Sequence, residues 1–226
     1  MSRRKGVIIC IIGIDGSGKS TIAKRIGTET ILTGKKFEYV YARFIPMLSR
    51  PLVYLAQSVL GKEKSENKNV EMVNRAKKKS FLSKPIVSKT TEMIFFLDYL
   101  IQILFKVWIP YSRGEYLICD RYLYDTIISD LGADIGWTGE TTLSKIRKYQ
   151  RLFPRPSVLI WLEVDPEIAI RRKNDVPSIQ FLRERAALYG QIANGFDLKG
   201  INANMDQNAV FEEVVNLIRN ESTKWD

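Results

Sequence analysis

The fold of this chain is decided by the stretch Gly13-Ile14-Asp15-Gly16-Ser17-Gly18-Lys19-Ser20-Thr21, which fits the pattern G-x-x-x-x-G-K-[S/T]. A β-branched apolar run before it predicts a buried strand over residues 6–13, and a helix is predicted from about Lys19 to Thr28. A glycine-rich turn at a helix N-terminus presents backbone N–H groups, which bind phosphate together with the helix dipole. The motif therefore predicts that residues 13 and 15–21 bind the phosphates of a nucleotide.

Two side chains of this phosphate-binding loop (the P-loop, residues 13–21) have predicted chemical roles. The ammonium group of Lys19 can reach the β- and γ-phosphates of a nucleotide, and the hydroxyl of Ser20 can bind Mg²⁺. The alternative is a glycine-rich turn that only precedes an ordinary helix. The strand and the helix predicted on either side of the motif argue against that alternative.

Further strands and helices alternate along the chain. Strands are predicted at residues 37–41, 115–119, 157–164 and 199–203, and helices at 85–108, 179–194 and 210–220. Strands separated by helices form βαβ units, in which a parallel sheet carries helices on both faces. The sequence therefore predicts one three-layer α/β domain over residues 1–226, with a basic, polar excursion at about residues 61–84.

The composition excludes several kinds of active site. The 226 residues include no histidine and two cysteines, which excludes histidine-dependent nucleophilic catalysis and zinc sites built from histidine or cysteine. Cys10 and Cys119 both lie in apolar runs. They are predicted to be buried thiols in a protein of the reducing cytoplasm.

The net charge is basic but unevenly distributed. The formal charge of +10 comes from 35 Lys and Arg against 25 Asp and Glu, and nine basic residues with three glutamates between Lys62 and Lys89 supply +6 of it. The rest of the chain is mildly basic. Ligands that carry phosphate explain such a charge without a nucleic acid.

One apolar segment, from Met93 to Tyr111, is long enough to suggest a membrane span. Asp98, Gln102 and Lys106 interrupt it at intervals of four residues, so they fall on one face of a helix. Lipid would not tolerate that face. The pattern therefore predicts a buried helix with one polar stripe, which faces either a ligand pocket or polar groups inside the fold.

The pair Asp120-Arg121 follows the strand predicted at residues 115–119. The carboxyl ends of parallel strands form the edge at which open α/β sheets bind ligands. There Asp120 can hold Mg²⁺ through water, and the guanidinium group of Arg121 can bind a phosphate with two parallel hydrogen bonds. A structural ion pair is the alternative. The chain has no Asn-Lys-x-Asp motif, which disfavours a GTPase.

These motifs together resemble the thymidylate kinase family of nucleoside monophosphate kinases. The resemblance rests on the P-loop with its acid at Asp15, on Ile118-Cys119-Asp120-Arg121-Tyr122, and more loosely on residues 160–172. It implies a three-layer P-loop kinase fold with five parallel strands in the order 2-3-1-4-5. It also implies Mg²⁺- and ATP-dependent phosphoryl transfer to a nucleoside monophosphate, with dTMP as the first candidate.

The resemblance also implies roles for single residues. Asp15 would accept a hydrogen bond from the 3′-hydroxyl of the acceptor, and Arg43 and Arg121 would hold the acceptor phosphate. Because Gly16 stands where some members carry an arginine, further catalytic cations are expected from a lid at residues 171–178. The expected lid cations are Arg171 and Arg172, with Lys173 as a third candidate, while Arg183 and Arg185 are weaker ones.

The remaining expected acceptor contacts include two departures from the family pattern. Phe95 and Tyr122 match the pattern, whereas Tyr99 stands where an arginine is usual and Asp125 replaces a small residue. A tyrosine that stacks on the base would discriminate less sharply between bases than a charged hydrogen-bonding partner. A tyrosine in the core of a buried helix is the alternative.

Two other functions stay open at this point. Tyr99 and Asp125 would also suit a kinase that acts on a nucleoside or another small metabolite. A non-catalytic nucleotide-binding module would use the basic stretch 62–89 to bind an acidic partner. The expected partners are small-molecule nucleotides, without nucleic acid and without a membrane span, and a homodimer is left open.

Overall fold

A computed structural model describes residues 6–28, 36–47, 85–173, 175–198, 200–223 and 225. The excursion predicted at about residues 61–84 lies outside the described residues. The prediction of one domain over the whole chain stays a prediction.

The described residues form a five-stranded parallel sheet in the order β2-β3-β1-β4-β5. The fold class and the strand order predicted above are therefore confirmed. All six residues of β1 are buried because this central strand has a neighbour on each side and helices on both faces. The strands are β1 (Val7–Ile12), β2 (Glu38–Tyr41), β3 (Tyr116–Asp120), β4 (Val158–Glu163) and β5 (Gly200–Asn202).

The helices agree with the sequence pattern in position, and several extend further than predicted. Two segments are π-helical, Leu104–Trp108 and Thr126–Gly132, and Gln150–Leu152 forms a 3₁₀ turn. The α-helices are α1 (Lys19–Thr28), α2 (Pro85–Ile103), α3 (Ile109–Ser112), α4 (Leu123–Asp125), α5 (Ala133–Ile135), α6 (Gly139–Tyr149), α7 (Pro166–Arg172), α8 (Ile179–Gly195) and α9 (Gln207–Ser222).

The polar stripe of α2 is satisfied inside the fold. Asp98 and Gln102 are buried, and Asp98 Oδ2 accepts a hydrogen bond of 2.9 Å from the backbone N–H of Met47. The side-chain amide of Gln102 donates to Ile45 O at 2.7 Å and accepts from Ile45 N at 3.3 Å. The stripe therefore holds the chain that leaves β2, which is one of its two predicted roles.

By length and composition alone, one helical stretch of the described residues could cross a membrane, Glu92–Ser112. Only one third of its most apolar window is buried in the fold, and Leu97 and Phe105 are exposed, so the prediction of a buried helix is wrong for this apolar face. Within that stretch, the buried side chains of Asp98 and Gln102 bind the backbone of the chain after β2. This stretch by itself is weak evidence for a membrane protein, and the prediction that there is no membrane span is kept.

Both cysteines are buried and free, as predicted. They are register partners in the parallel pair of β1 and β3. The P-loop follows β1 and the pair Asp120-Arg121 ends β3, so the two motifs meet at the same edge of the sheet. The chain runs from β1 to β2 on the side of β3, and it later crosses from β3 to β4 on the other side of β1. The carboxyl end of β1 is therefore the switch point at which such sheets bind ligands.

Candidate active site

The P-loop has the backbone that a phosphate site needs. Gly18 has φ 91°, in the region that favours glycine, although a Cβ there would meet no atom within 4 Å. A hydrogen bond of 3.2 Å from Ser17 N to Ile14 O closes the turn, and α1 begins at Lys19. The turn thus delivers backbone N–H groups and the positive end of a helix dipole to one point.

The surroundings of Gly16 leave no room for a side chain at this position. A Cβ on Gly16 would lie 2.4 Å from the backbone O of Ala169 in α7, and its φ is 88°. Any side chain would therefore displace α7 as well as strain the turn. The arginine that the resemblance places here in some members would therefore not fit, and the expectation of cations from residues 171–178 stays a prediction.

Lys19 is buried and folded back onto the P-loop. Its ammonium group donates hydrogen bonds to Gly13 O at 2.7 Å and to Ile14 O at 2.6 Å. Burial, and then the charge of Arg121, lowers the pKa of Lys19 to about 8, although nearby aspartates act in the opposite direction. The ammonium group therefore lies at the loop that would surround a phosphate.

Asp15 lies between two cations. Its Oδ1 accepts a hydrogen bond from Nη2 of Arg121 and lies 3.4 Å from Nζ of Lys173. Burial acts in the opposite direction, but the charges of Arg121, Lys19 and Lys173 hold the pKa of Asp15 well below its usual range. The structure thus brings together the P-loop, the end of β3 and the chain after α7.

Arg121 has an unusual backbone and little exposure. Its φ is 67°, in the left-handed region, and its side chain is 7% exposed. Asp125 Oδ1 lies 4.0 Å from its Nη1, so that a second carboxylate faces the guanidinium group. Backbone strain of this kind persists where the surroundings hold a residue in place, and it clusters at functional sites.

Asp120 fits the predicted metal role. Its side chain is fully buried, Oδ2 accepts a hydrogen bond of 2.9 Å from the hydroxyl of Tyr39, and Oδ1 has no hydrogen-bond partner among the described residues. An unpaired buried carboxylate oxygen beside a phosphate loop suits a Mg²⁺ ion or its water. The described residues hold no cluster of three metal-binding side chains, and Mg²⁺ in nucleotide sites takes many of its ligands from phosphate and water.

A cavity of about 440 Å³ opens beside the P-loop. Its walls include Ser20, Arg121 and Lys173 together with Ala203, Met205 and Val210. Charged and apolar side chains thus both line the cavity. A nucleotide carries charged phosphates and a largely apolar base, so the cavity suits one.

A larger groove of about 740 Å³ lies elsewhere, between α8 and residues 132–143. Trp137 and Leu143 line it, with Glu140 and Glu184 as its charged residues. It contains neither cations nor the P-loop. The P-loop and the cations of the predicted site thus lie at the smaller cavity.

Arg43 is held by an acid that the sequence did not single out. Its Nη2 lies 2.7 Å from Asp130 Oδ1, and its Nε donates to Oδ2 at 3.3 Å. Despite burial, the hydrogen bonds and charge of Asp130 hold the pKa of Arg43 well above its usual value. An acceptor phosphate at Arg43 would therefore share this guanidinium group with Asp130.

Three predicted acceptor contacts differ in how open they are. Phe95 is half-buried and packs on Phe44, with ring centroids 3.8 Å apart. Tyr122 is buried, and its hydroxyl donates to Pro154 O at 2.9 Å. Tyr99 is wholly buried and donates to Ala42 O at 2.9 Å. Both hydroxyls thus bind backbone within the core, which for Tyr99 favours the core alternative named above. The acceptor contacts of Phe95 and Tyr122 stay predictions.

We expect Tyr99→Arg to destabilise the protein rather than to sharpen its selectivity. The new guanidinium group would be buried where a tyrosine hydroxyl now binds one carbonyl, and an unpaired buried charge is costly. A loss of about 3 kcal/mol or more in the free energy of unfolding is expected from urea denaturation. Tyr99→Phe, which removes only one hydrogen bond, is the matched control. A Tyr99→Arg protein as stable as this control would contradict the buried placement.

The predicted lid cations lie in different surroundings. Arg171 is exposed on the last turn of α7, and Arg172 donates a hydrogen bond of 2.7 Å to Ala203 O at the wall of the cavity. Lys173 reaches Asp15. Of the weaker candidates, Arg183 pairs with Glu167 at 2.7 Å, and Arg185 is buried on the ring of Phe181. Arg172 and Lys173 thus both line the cavity at the P-loop, and of these two Lys173 is the one that contacts Asp15.

The carboxyl group of Asp125 is fully buried, and its predicted contact with the acceptor stays a prediction. The hydroxyl of Tyr189 donates a hydrogen bond to its Oδ1. Burial raises the pKa of Asp125 to about 6, although Lys19, Arg121 and the bond from Tyr189 act in the opposite direction. The Asp125 carboxylate therefore lies in the core beside Arg121 and is not among the residues that line the nucleotide cavity.

We expect Asp125 to make the free energy of unfolding depend on pH. The folded protein keeps a proton on Asp125 up to about pH 6, while the unfolded chain releases it near pH 4. Its contribution is therefore largest below about pH 4 and falls by roughly 3 kcal/mol as the pH rises to about 6. Other carboxylates, Asp15 among them, titrate in the opposite sense, so Asp125→Asn is the control. Urea denaturation between pH 4 and 7 that gives parallel curves for both proteins would count against this placement.

Sequence reasoning missed Tyr39, Asp130 and Tyr189, each of which binds a side chain of the predicted site. Tyr39 lies inside the strand predicted at residues 37–41, and Asp120 follows the strand predicted at 115–119, so the two could be linked only once these strands were known to be neighbours. Asp130 and Tyr189 lie on helical segments, and no motif marks them.

The fold and the site together define a class. A parallel sheet in this order, a P-loop after its central strand and an Asp-Arg pair after the neighbouring strand are the parts of a P-loop kinase that acts on a small phosphate-bearing molecule.

Comparison with known proteins narrows this class to one family. No family model matches the chain. The chain is 30% identical over 179 residues to a probable thymidylate kinase of Sulfolobus acidocaldarius, covering 77% of this chain and 73% of that protein. It is 27% identical over 230 residues to the thymidylate kinase of Mycoplasmoides gallisepticum, with 95% of each chain covered, and 26% identical over 228 residues to that of Clostridium novyi. The chain belongs to the thymidylate kinase family, and it is a nucleoside monophosphate kinase.

Proposed function

We propose that the protein transfers the γ-phosphoryl group of ATP to dTMP, with Mg²⁺, and forms dTDP. The observation that carries the proposal is the position of Arg121, which contacts Asp15 of the P-loop and also lines the cavity suited to a nucleotide. One guanidinium group at this place can reach both the donor and the acceptor phosphate. The names of the relatives supply dTMP as the acceptor to test first.

The chain's own residues account for phosphoryl transfer without a covalent intermediate. The P-loop N–H groups and Lys19 would bind the β- and γ-phosphates, and Lys173 and Arg121 would neutralise the charge that moves with the phosphoryl group. Such preorganised charges are the main source of catalysis in this reaction. Asp15 would orient the acceptor through a sugar hydroxyl once Arg121 turns towards phosphate.

Ser20 and Asp120 are the residues that would hold Mg²⁺, the latter through its unpaired Oδ1. When bound, Mg²⁺ neutralises phosphate charge and orients the donor. We infer ATP as the donor from the P-loop and from the cavity, whose walls combine cations with apolar side chains.

An ADP-release assay with a panel of acceptors tests the proposal. ATP and Mg²⁺ are held constant, and dTMP, dUMP, dCMP, dGMP, CMP, UMP, AMP, thymidine and uridine are each offered. The proposal expects the highest kcat/KM for dTMP. Turnover of thymidine or uridine without turnover of any monophosphate would replace it with a nucleoside kinase. Tight ATP binding without any turnover would leave a nucleotide-binding module.

Residues 171–178 are proposed to act as a lid. Lys173 already contacts Asp15, and Ser178 caps α8 by accepting a hydrogen bond of 3.1 Å from Phe181 N, which gives the lid a fixed hinge. Closure would exclude water, so that ATP is not hydrolysed. We expect slower hydrogen exchange in residues 171–178 with a bisubstrate analogue than without ligand. Equal exchange in both states would refute the lid.

We also propose that the enzyme is cytoplasmic and works as a homodimer. Apolar side chains are exposed along α2 and the π-helical segment Leu104–Trp108 that follows it, mostly at intervals of three or four residues. A second copy of the chain is the proposed cover, and light scattering of the pure protein should give twice the mass of the chain. A monomeric mass, or binding to anionic vesicles, would contradict it. The exposed side chains are Met93, Leu97, Ile101, Leu104, Phe105 and Trp108.

A further inference from the structure

A buried polar cluster lies behind Arg121, and the proposed reaction does not use it. It joins the segment that follows β3 to helix α8, which begins immediately after the lid. All members have 7% exposure or less. They are Asp125, Ser129, Arg185 and Tyr189.

Asp125 is the member that faces Arg121. Its Oδ1 accepts the hydrogen bond from Tyr189 and lies 4.0 Å from Nη1 of Arg121, while its Oδ2 has no partner among the described residues. A buried carboxylate depends on its partners for its position. Tyr189 and Arg121 are therefore the two groups that orient this acid.

Tyr189 is in turn fixed by the segment that it contacts. Its hydroxyl oxygen lies 3.2 Å from Ser129 Oγ. Because the one hydroxyl proton of Tyr189 goes to Asp125, Ser129 is the donor in this second hydrogen bond. One turn earlier on α8, Nη2 of Arg185 donates to Ser129 O at 3.1 Å. Two side chains on one face of α8 thus dock it on Thr126–Gly132.

The direction of the Arg121 side chain depends on the groups around it. Its backbone is in the left-handed region, and its guanidinium group lies between Asp15 of the P-loop and Asp125 of α4. The two carboxylates belong to different elements. A shift of either one would move the guanidinium group relative to the phosphates, and displacements of this kind affect phosphoryl transfer strongly.

We propose that Tyr189 and Asp125 are positioning residues, in which Tyr189 orients Asp125 and Asp125 holds Arg121 opposite Asp15. The proposal rests on the proposed function only for the step that Arg121 performs. The hydrogen bond from Tyr189 to Asp125 then has two effects. It docks α8, the helix that follows residues 171–178, and it places Arg121.

Tyr189→Phe tests the pair in the full chain, with Tyr149→Phe as the matched control. Tyr149 also donates its hydroxyl to a buried carboxylate, Glu92, but on α6 and α2, away from the P-loop. We expect Tyr189→Phe to lower kcat/KM for the acceptor about tenfold with an unchanged KM for ATP. Tyr149→Phe should keep the wild-type values. Equal effects of the two substitutions would show that only general packing is at stake and would overturn the proposal.

A double-mutant cycle separates positioning from stability. Asp125→Asn keeps the volume and can still accept the bond from Tyr189, but it offers Arg121 no charge. If both residues act through the same contact, Asp125→Asn with Tyr189→Phe should lose no more kcat/KM than Asp125→Asn alone. Fully additive losses would mean independent roles and would overturn the proposal.

Hydrogen exchange of the ligand-free protein gives a measurement that needs no acceptor. Tyr189→Phe should speed exchange in residues 120–126 as well as in α8, and Tyr149→Phe should not. A wild-type enzyme that phosphorylates no nucleotide would refute the proposed function and leave this measurement intact. Unchanged exchange in residues 120–126 of the Tyr189→Phe protein would refute the positioning pair itself.

Discussion

Replacing Lys19 by methionine should reduce kcat/KM for ATP by about 10²- to 10³-fold, because a charge aimed at the moving phosphoryl group is worth several kcal/mol in a site without water. Methionine keeps the apolar stem and removes the charge. In the ligand-free structure the ammonium group binds Gly13 O and Ile14 O, so it lies close to where phosphate would bind. Steady-state kinetics with varied ATP measures the effect.

The stability of this variant needs its own measurement, because Lys19 is 4% exposed and not the exposed lysine that a loop position suggests. Two carbonyl groups lose a donor, and we expect a lower Tm with a retained circular dichroism spectrum at 25 °C. Lys24→Met, on the exposed face of α1, is the control and should keep wild-type kinetics. Near-normal kcat/KM in folded Lys19→Met would contradict the assignment of the P-loop.

The fold was predictable because local pattern and motif agree. The β-branched run, the glycine turn and the helix that follows each specify their own structure from nearby residues. The observed helix α1 therefore has the predicted bounds, Lys19–Thr28. The strand order needed the family resemblance as well, since periodicity says which residues form strands and not which strands are neighbours.

The acceptor side was less predictable because its contacts join distant parts of the chain. Arg43 pairs with Asp130, 87 residues away, and Tyr189 binds Asp125, 64 residues away. Tyr99 suited both a pocket and a core by sequence. Its hydroxyl binds Ala42 O, 57 residues away, and packing of this kind has no local signature. The chain after β2, which α2 holds in place, thus decides where Tyr99 points.

Arg121→Lys should lower kcat/KM for the acceptor by about 10²- to 10³-fold, although the charge is kept. An arginine can bind one phosphate with two parallel hydrogen bonds and still face a carboxylate, whereas a lysine offers a compact point charge. Arg121 lies between Asp15 and Asp125 in this structure, and the ammonium group at the end of a lysine side chain cannot reach both carboxylates. We therefore expect the loss mainly in kcat, with the KM for ATP little changed.

The conservative choice keeps this prediction separate from unfolding. A lysine at position 121 still gives the buried Asp125 a cation, so the free energy of unfolding should fall by about 1–2 kcal/mol at most. Arg121→Ala would leave that acid without a cation, so that a loss of stability could not be separated from a loss of catalysis. Arg183→Lys is the control, since Arg183 pairs with Glu167 on the surface and should tolerate the change. If Arg121→Lys kept kcat within about threefold of wild type, two-point binding by this guanidinium group would not be part of catalysis.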